Sequence, residues 1–313
     1  MITAVSLFII GLVLVVYFSE KLVEGVVGTS LSFGISAFLI SVIFIGFDPE
    51  NLVLGGVASY EAASGIALGT IIGSAMVAIA LAFGITAIIA PMKFKSAPAG
   101  IVIVPVASVA LLVLLSLDGM LTRLDGIYLL GGFFLALWYL VRLSSKGLDI
   151  EATGEVAETI EKETVPAAWK SVGMLIISLI AIIVGSELLI RGSETIIDGI
   201  GLTETVFGMT LLALLVSFEE LARELPAALK GRPDISYGNV SGSVLAFFLF
   251  NAGIIALINP VPIPTEVLYF HLPVSVLTIV FISMCMLAKR VTRWSGLILV
   301  LLYTVFFVGS FFR

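Results

Sequence analysis

Long apolar stretches, interrupted by small clusters of charged and turn-forming residues, follow one another along the whole 313-residue chain. Apolar runs of about 20 residues read as helices that cross a bilayer. Ten such spans can be drawn: 3–19, 35–60, 66–90, 99–117, 127–143, 171–191, 203–229, 235–258, 267–288 and 295–312. A β-barrel would instead show segments of about 10 residues with alternating polarity, and no such alternation is visible. The pattern predicts an all-α polytopic membrane protein. Two spans break the rule of apolarity. The second holds "FDPEN" (Phe47–Asn51) near its middle, and the seventh holds "SFEELARE" from Ser217 to Glu224.

The two halves of the chain repeat one another. "SEKLVEG" at Ser19–Gly25 matches "SELLIRG" at Ser186–Gly192, "GISAFLIS" from Gly34 matches "GLTETVFG" from Gly201, and "GIALGTIIGS" at Gly65–Ser74 matches "DISYGNVSGS" at Asp234–Ser243. Five spans per half is an odd number, so the second half is expected to be inverted relative to the first. The predicted organisation is a first five-helix half at 1–143, an acidic linker at 144–170 and a second five-helix half at 171–313. Inverted halves with polar interruptions at matching places characterise secondary transporters, whose site lies near the bilayer midplane.

Composition agrees with the pattern. The chain is 60% hydrophobic and 12% charged, with a mean hydropathy of +1.21; soluble domains carry about 25% charged residues. The net charge of −6 comes largely from the linker "SSKGLDIEATGEVAETIEKETVPAAWK", so it carries no implication of nucleic-acid binding. The linker acids lack the spacing of an EF-hand loop. The single cysteine, Cys285, reads as a small core residue, and the single histidine, His271, as an interfacial one. The N-terminal "MITAVSLFIIGLVLVVYF" lacks a basic leader and a small-residue cleavage site, and is expected to stay as the first helix. Lysines and arginines of the short loops set the orientation. With the N-terminus outside, Lys21, Lys93, Lys95, Arg142, Lys146, Lys162, Lys170, Lys230, Arg232, Lys289, Arg290 and Arg293 are cytoplasmic, against Arg123, Arg191 and Arg313 outside. Both termini are therefore expected outside a plasma membrane, with the acidic linker inside.

The polar interruptions carry the chemistry. A charge at mid-bilayer costs roughly 2.5–3.5 kcal/mol, so it faces a cavity or a partner. Residues three apart share a helix face, which pairs Asp48 with Asn51 and Ser217 with Glu220. Glu50 and Glu219 lie about 100° around the helix from those pairs and reach the same centre only where the helix is broken, as Pro49 suggests for the first half. Ser74 and Ser243, each after a glycine, are the expected hydroxyl donors, although small residues there also serve helix packing. Glu224 and Arg223 are secondary candidates: Arg223 reads as a salt-bridge partner of Glu219 or Glu220, and both can reach a cytoplasmic vestibule. Glu20, Glu24 and Glu187 are expected at solvated helix ends. Carboxylates, hydroxyls and freed carbonyls form the oxygen set that hard cations such as Ca2+ require.

At these residues the chain resembles the calcium/cation antiporter superfamily, the sodium/calcium exchangers and their relatives. The resemblance is specific at "GMTLLALLVSFEELARELPAALKG" followed by "DISYGNVSGS", and at "NLVLGGVASY" followed by "GIALGTIIGS". It implies ten helices in two inverted five-helix halves, each with a G-T-S-x-P-E motif on one helix and a G-N-x-x-G-S motif on the next. Asn51 and Ser74 are separated by 23 residues, as are Glu220 and Ser243. Glu220 thus takes the place of the motif glutamate, and Asn51 takes it in the first half. The motif serine becomes Ser217 and Asp48. The places where relatives often carry Asn or Asp, four residues after the G-S serine, hold Ala78 and Phe247, and Glu219 stands where the second motif has proline.

The resemblance implies a secondary-active antiporter that exchanges Ca2+ for Na+ by alternating access, with the first and sixth helices sliding across the core. The rival reading is an exchanger coupled to H+, or one that carries Mg2+ or Mn2+. No phosphate-binding loop, zinc-protease motif or nucleophile elbow is present, so the chain is read as a transporter and not an enzyme. The transported Ca2+ and Na+ are the expected occupants of the site, with no cofactor, no nucleic acid and no obligate protein partner besides the bilayer.

Overall fold

The computed structural model describes residues 1–33, 48–94, 99–144, 168–229 and 233–312. Its helices, in chain order, are α1 (Ile2–Ser32), α2 (Pro49–Tyr60), α3 (Ser64–Ile89), α4 (Ala99–Ser116) and α5 (Arg123–Ser144), then α6 (Ala168–Ile200), α7 (Glu204–Val216), α8 (Glu220–Leu229), α9 (233–258), α10 (Val267–Leu287) and α11 (Arg293–Gly309). Among the described residues seven helices are long and apolar enough to cross a membrane, and Val102–Ser116 and Glu204–Val216 are shorter apolar helices. Their outward faces carry large apolar side chains, such as Ile9, Val13, Ile176 and Ile180. That inversion of the soluble-protein rule suits a lipid solvent. The matched stretch "GISAFLIS" and most of the acidic linker lie outside the described residues.

α1 and α6 form one antiparallel pair. They touch along a stripe of glycines: Gly192 faces the backbone of Ala4 and Phe8, Gly11 faces Gly185 and Leu189, and Gly25 faces Leu175. At 31 residues and about 1.5 Å per residue, α1 outruns a hydrocarbon core of about 30 Å. The expected ends at 19 and 191 are therefore corrected: α1 continues to Ser32 and α6 to Ile200. Glu20, Glu24 and Glu187 are not at helix ends. Two of these acids pair within their own helices, Lys21 with Glu24 at 3.0 Å and Arg191 with Glu187 at 2.5 Å, which offsets charge where no helix terminus can.

The remaining helices exchange contacts crosswise between the halves. Gly84 of α3 lies against Gly296 of α11, and Gly253 of α9 lies against Gly126 of α5. Two-residue strands repeat the crossing. β1 (Met92–Lys93), which follows α3, pairs with β4 (Arg290–Val291), which precedes α11. β3 (Val261–Pro262), which follows α9, pairs with β2 (Met120–Leu121), which precedes α5. The innermost contact joins α3 to α7, where Gly65, Gly69 and Gly208 bring two backbones together. The Glu204 carboxylate at the start of α7 accepts the N–H groups of Gly65 and Ile66. It thereby satisfies donors that the first turn of α3 leaves open.

Among the described residues α3, α7, α9 and α10 widen to i→i+5 turns, and in α3 and α9 such turns fall at matching places. In α3 the turn Val77–Ala82 begins three residues after Ser74; in α9 the turn Ala246–Asn251 begins three residues after Ser243. Such turns are rare and gather at functional sites. His271 corrects its expectation. It is buried, with Nδ1 3.0 Å from the Glu266 carbonyl and Nε2 2.9 Å from Ser310 Oγ, and rings of Phe270 and Phe306 beside it. Cys285 is half-buried against the core.

A Cβ on Gly208 would fall against the carbonyl oxygen of Gly65, whereas one on Gly131 meets nothing within 4 Å. Gly208→Ala should cost about 1–3 kcal/mol through overpacking. Gly131→Ala should be neutral or stabilising by up to about 1 kcal/mol. Melting temperatures of the two variants in one detergent test the contrast; equal melting would refute the close approach.

Candidate functional site

The two polar interruptions lie at helix ends. In the first half Asp48 is not helical (φ −134°, ψ 89°); it caps α2, which starts at Pro49. Proline suits that first position because its missing N–H would have had no helical partner. Asp48 therefore lies at a helix start and not within a continuous span. In the second half the chain leaves the helix at Ser217 (φ −100°, ψ 17°) and re-enters it at Glu220. The sequence pointed to a break only where it has a proline, so the break at 217–219 is a finding of the structure.

The two breaks meet through Asn51. Its Nδ2 donates to Asp48 Oδ2 at 2.8 Å and to Ser217 Oγ at 3.0 Å, across the halves. Its Oδ1 accepts from Ser74 Oγ at 2.6 Å. Its backbone N–H donates to Asp48 Oδ1 at 3.0 Å, the N-cap bond. The Glu220 N–H donates to the Ser217 carbonyl at 3.2 Å, and the Glu220 carboxylate accepts from Asn239 Nδ2 at 3.2 Å. One connected network thus holds Asp48, Asn51, Ser74, Ser217 and Glu220, all 0–1% exposed.

Ser243, on the face of α9 shared with Asn239, is 1% exposed, and its hydroxyl has no hydrogen-bond partner among the described residues. Of the secondary candidates, Glu50 and Glu224 are buried and Glu219 is half-exposed on the turn beside exposed Phe218. The side chain of Arg223 lies outside the described residues. Ala78 and Phe247 are fully buried inside the two wide turns. Asn239 was missed as a site residue. The signal was its place as the asparagine of "GNVSGS", which the hydroxyl-centred reading passed over.

Helix polarity acts on both carboxylates and on the break. Asp48 and Glu220 each stand at the N-terminus of a short helix, where the macrodipole and open N–H groups favour negative charge. The C-terminal end of α7 points its last carbonyls into the same break, the opposite polarity. Among the described residues no three of His, Cys, Asp and Glu gather as a metal centre. The oxygens here are mixed: carboxylate, amide and hydroxyl. Such a set binds hard cations reversibly, at a strength governed by the number of charges.

Comparison with known proteins finds relatives along nearly the whole chain. The family model described as sodium/calcium exchanger protein matches residues 3–142 and 170–312. An uncharacterized membrane protein of Methanocaldococcus jannaschii is 30% identical over 314 residues, covering 97% of each chain. A Ca2+/H+ antiporter of Synechocystis is 27% identical over 156 residues, 49% of this chain and 42% of that one. The solved sodium-calcium exchanger NCX_Mj, soaked with Na+ and Sr2+, superposes with a TM-score of 0.61 at 28% identity and 97% coverage of each chain.

Asn51 is the joint of the network. Asn51→Leu removes its side-chain bonds and leaves the buried Asp48 and Ser217 short of partners. It should destabilise the protein by about 2–4 kcal/mol, read as a fall in melting temperature; an unchanged melting curve would show that the network does not hold the breaks together.

Proposed function

The chain belongs to the sodium/calcium exchanger family, an integral membrane antiporter, and from that premise we propose that it exchanges Ca2+ for Na+ at the Asp48–Glu220 cluster. The observation that carries this reading is the hydrogen-bonded junction of Asn51 with Ser217, which draws a helix start in one half and a helix break in the other to one buried point. Asp48 and Glu220 supply the charge. Ser74, Ser217 and Ser243 supply hydroxyls, and Asn51 holds the first carboxylate in place. Two carboxylates balance one divalent ion or two monovalent ions, so Ca2+ and Na+ compete for one set of oxygens and occupy it in turn. The buried Glu50 and Glu224 and the half-exposed Glu219 add to the negative potential.

The same reading takes the chain as ten helices in two inverted halves. The crosswise pairing of β1 with β4 and β2 with β3 supports it. Lys93 and Arg290 meet at one end of the molecule and Arg123 reaches the Ile258 carbonyl. This grouping supports an orientation with Lys93 cytoplasmic and both termini outside, in a plasma membrane. Alternating access follows from movement of α1 and α6, whose glycine stripe gives a smooth mutual face.

A second reading, coupling to H+, is favoured by one observation: both carboxylates of the cluster, Asp48 and Glu220, are 1% exposed. The relative from Synechocystis bears the name Ca2+/H+ antiporter. In this reading protons on the cluster's carboxylates replace Na+ when the divalent ion leaves.

Isotope flux into proteoliposomes, with Na+, H+ and Ca2+ gradients imposed separately, tests both. Uptake of Ca2+ should follow an outward Na+ gradient, and Asp48→Asn and Glu220→Gln should each lower it by at least about 100-fold, the effect of roughly 3 kcal/mol. Wild-type flux in both variants would remove the site, and uptake driven by a pH gradient without Na+ would assign the coupling to protons.

A further inference from the structure

Asn251 closes the wide turn of α9. It is 1% exposed, and neither Oδ1 nor Nδ2 has a hydrogen-bond partner among the described residues. A buried amide without partners loses its hydration and gains nothing in exchange. Its helical phase shows which way it faces. α2 and α9 run side by side in the same direction: Gly55 lies against Ile255 and Gly56 against Ile258. Ser59 Oγ donates to the carbonyls of Ile255 at 2.9 Å and Asn259 at 3.1 Å. Residues 251, 255 and 258 share one helix face, so the face that α9 turns toward α2 includes Asn251. Asn51 precedes Gly55 by one turn, as Asn251 precedes Ile255. The two asparagines therefore stand at one level. The turn that ends at Asn251 also packs against Gly69–Gly73 and Ser74–Met76 of α3, the segment whose Ser74 is bonded to Asn51.

We propose that Asn251 is a further ligand of the transported cation, its amide oxygen completing the coordination at the Asp48–Asn51–Ser74 end of the cluster. The proposal rests on the reading of that cluster as the exchange site. The sequence gives a reason for a ligand from α9. The second half has an amide beside its carboxylate, Asn239 on Glu220. The matching place in "GTIIGS" is Thr70, whose hydroxyl turns back to the Ala67 carbonyl at 2.8 Å. Asn251 supplies from the opposite half the amide that α3 lacks. A neutral amide oxygen ligates a metal ion but takes up no proton at neutral pH. This end of the cluster is thereby biased toward metal ions over protons, beyond what Asp48 alone would give.

The test is thermal unfolding of the purified full chain, titrated with CaCl2 and, separately, NaCl, for wild type, Asn251→Leu, Asn251→Asp and Glu220→Gln. Asn251→Leu should melt without ions at or above the wild-type temperature, since a dry amide is replaced by a side chain of similar size. It should need about tenfold more Ca2+ for the same stabilisation. Asn251→Asp, which keeps the oxygen and adds charge, should need less. If Asn251→Leu titrates as wild type while Glu220→Gln has lost its response, the ligand assignment falls and the site stands. If Glu220→Gln also titrates as wild type, both fall. Should the leucine variant fail to fold, an unchanged Ca2+ midpoint in Asn251→Asp overturns the assignment.

Discussion

Asn51 has two amide hydrogens and one amide oxygen, and each is committed to a different segment: the hydrogens to Asp48 and, across the halves, to Ser217, the oxygen to Ser74. An acid cannot be left alone among apolar side chains, because stripping an ionised group of water costs several kcal/mol even after relaxation. The amide partly answers that cost with neutral donors, and it adds no positive charge that would repel a cation. A lysine at this point would neutralise Asp48 permanently. An asparagine orients the carboxylate and leaves its charge to be balanced by something mobile. The helix start at Asp48 and the break at 217–219 then become intelligible, since non-helical backbone lets helix ends, side chains and carbonyls meet at one buried point.

Around that junction the scaffold is built from backbone contact. Gly65, Gly69 and Gly208 let α3 and α7 touch without intervening side chains, and the Gly84–Gly296 and Gly126–Gly253 contacts repeat the device at the periphery. In lipid this is how helices gain cohesion: apolar side chains meet hydrocarbon as readily as each other, so close backbone approach and dispersion must hold the bundle. Glu204 adds a polar tie by capping α3 from α7. The site is thus carried on elements that are each fixed to the opposite half.

Much of this could be read from the chain. Runs of apolar residues gave the helices, because lipid imposes one length and one composition on every span. The Asp48–Asn51 pair is joined as its spacing indicated, and Asn51 is bonded to Ser74, 23 residues on, whereas Ser243, equally spaced from Glu220, has no hydrogen-bond partner among the described residues. What escaped the sequence depends on contacts between distant residues. Helix ends at Ser32 and Ile200 lie beyond the apolar runs, on two helices packed along a glycine stripe. The break at Ser217 has no proline to announce it. His271 looked interfacial because its partner, Ser310, is 39 residues away. Asn239 and Asn251 are ordinary polar letters until the fold shows what stands beside them.

The wide turn Ala246–Asn251 has a geometric consequence for how α9 should be thought of. An i→i+5 turn contains about one residue more than an α turn, so the outer segment 252–258 is rotated relative to the inner segment that bears Asn239 and Ser243. A wheel drawn at uniform pitch along this helix assigns the wrong azimuth to one end or the other. The alignment of the α2-facing edge with the carboxylate-facing edge is a property of chain length within the turn. It is a phase shifter made of backbone, indifferent to which apolar side chains occupy it and sensitive to the loss of a single residue.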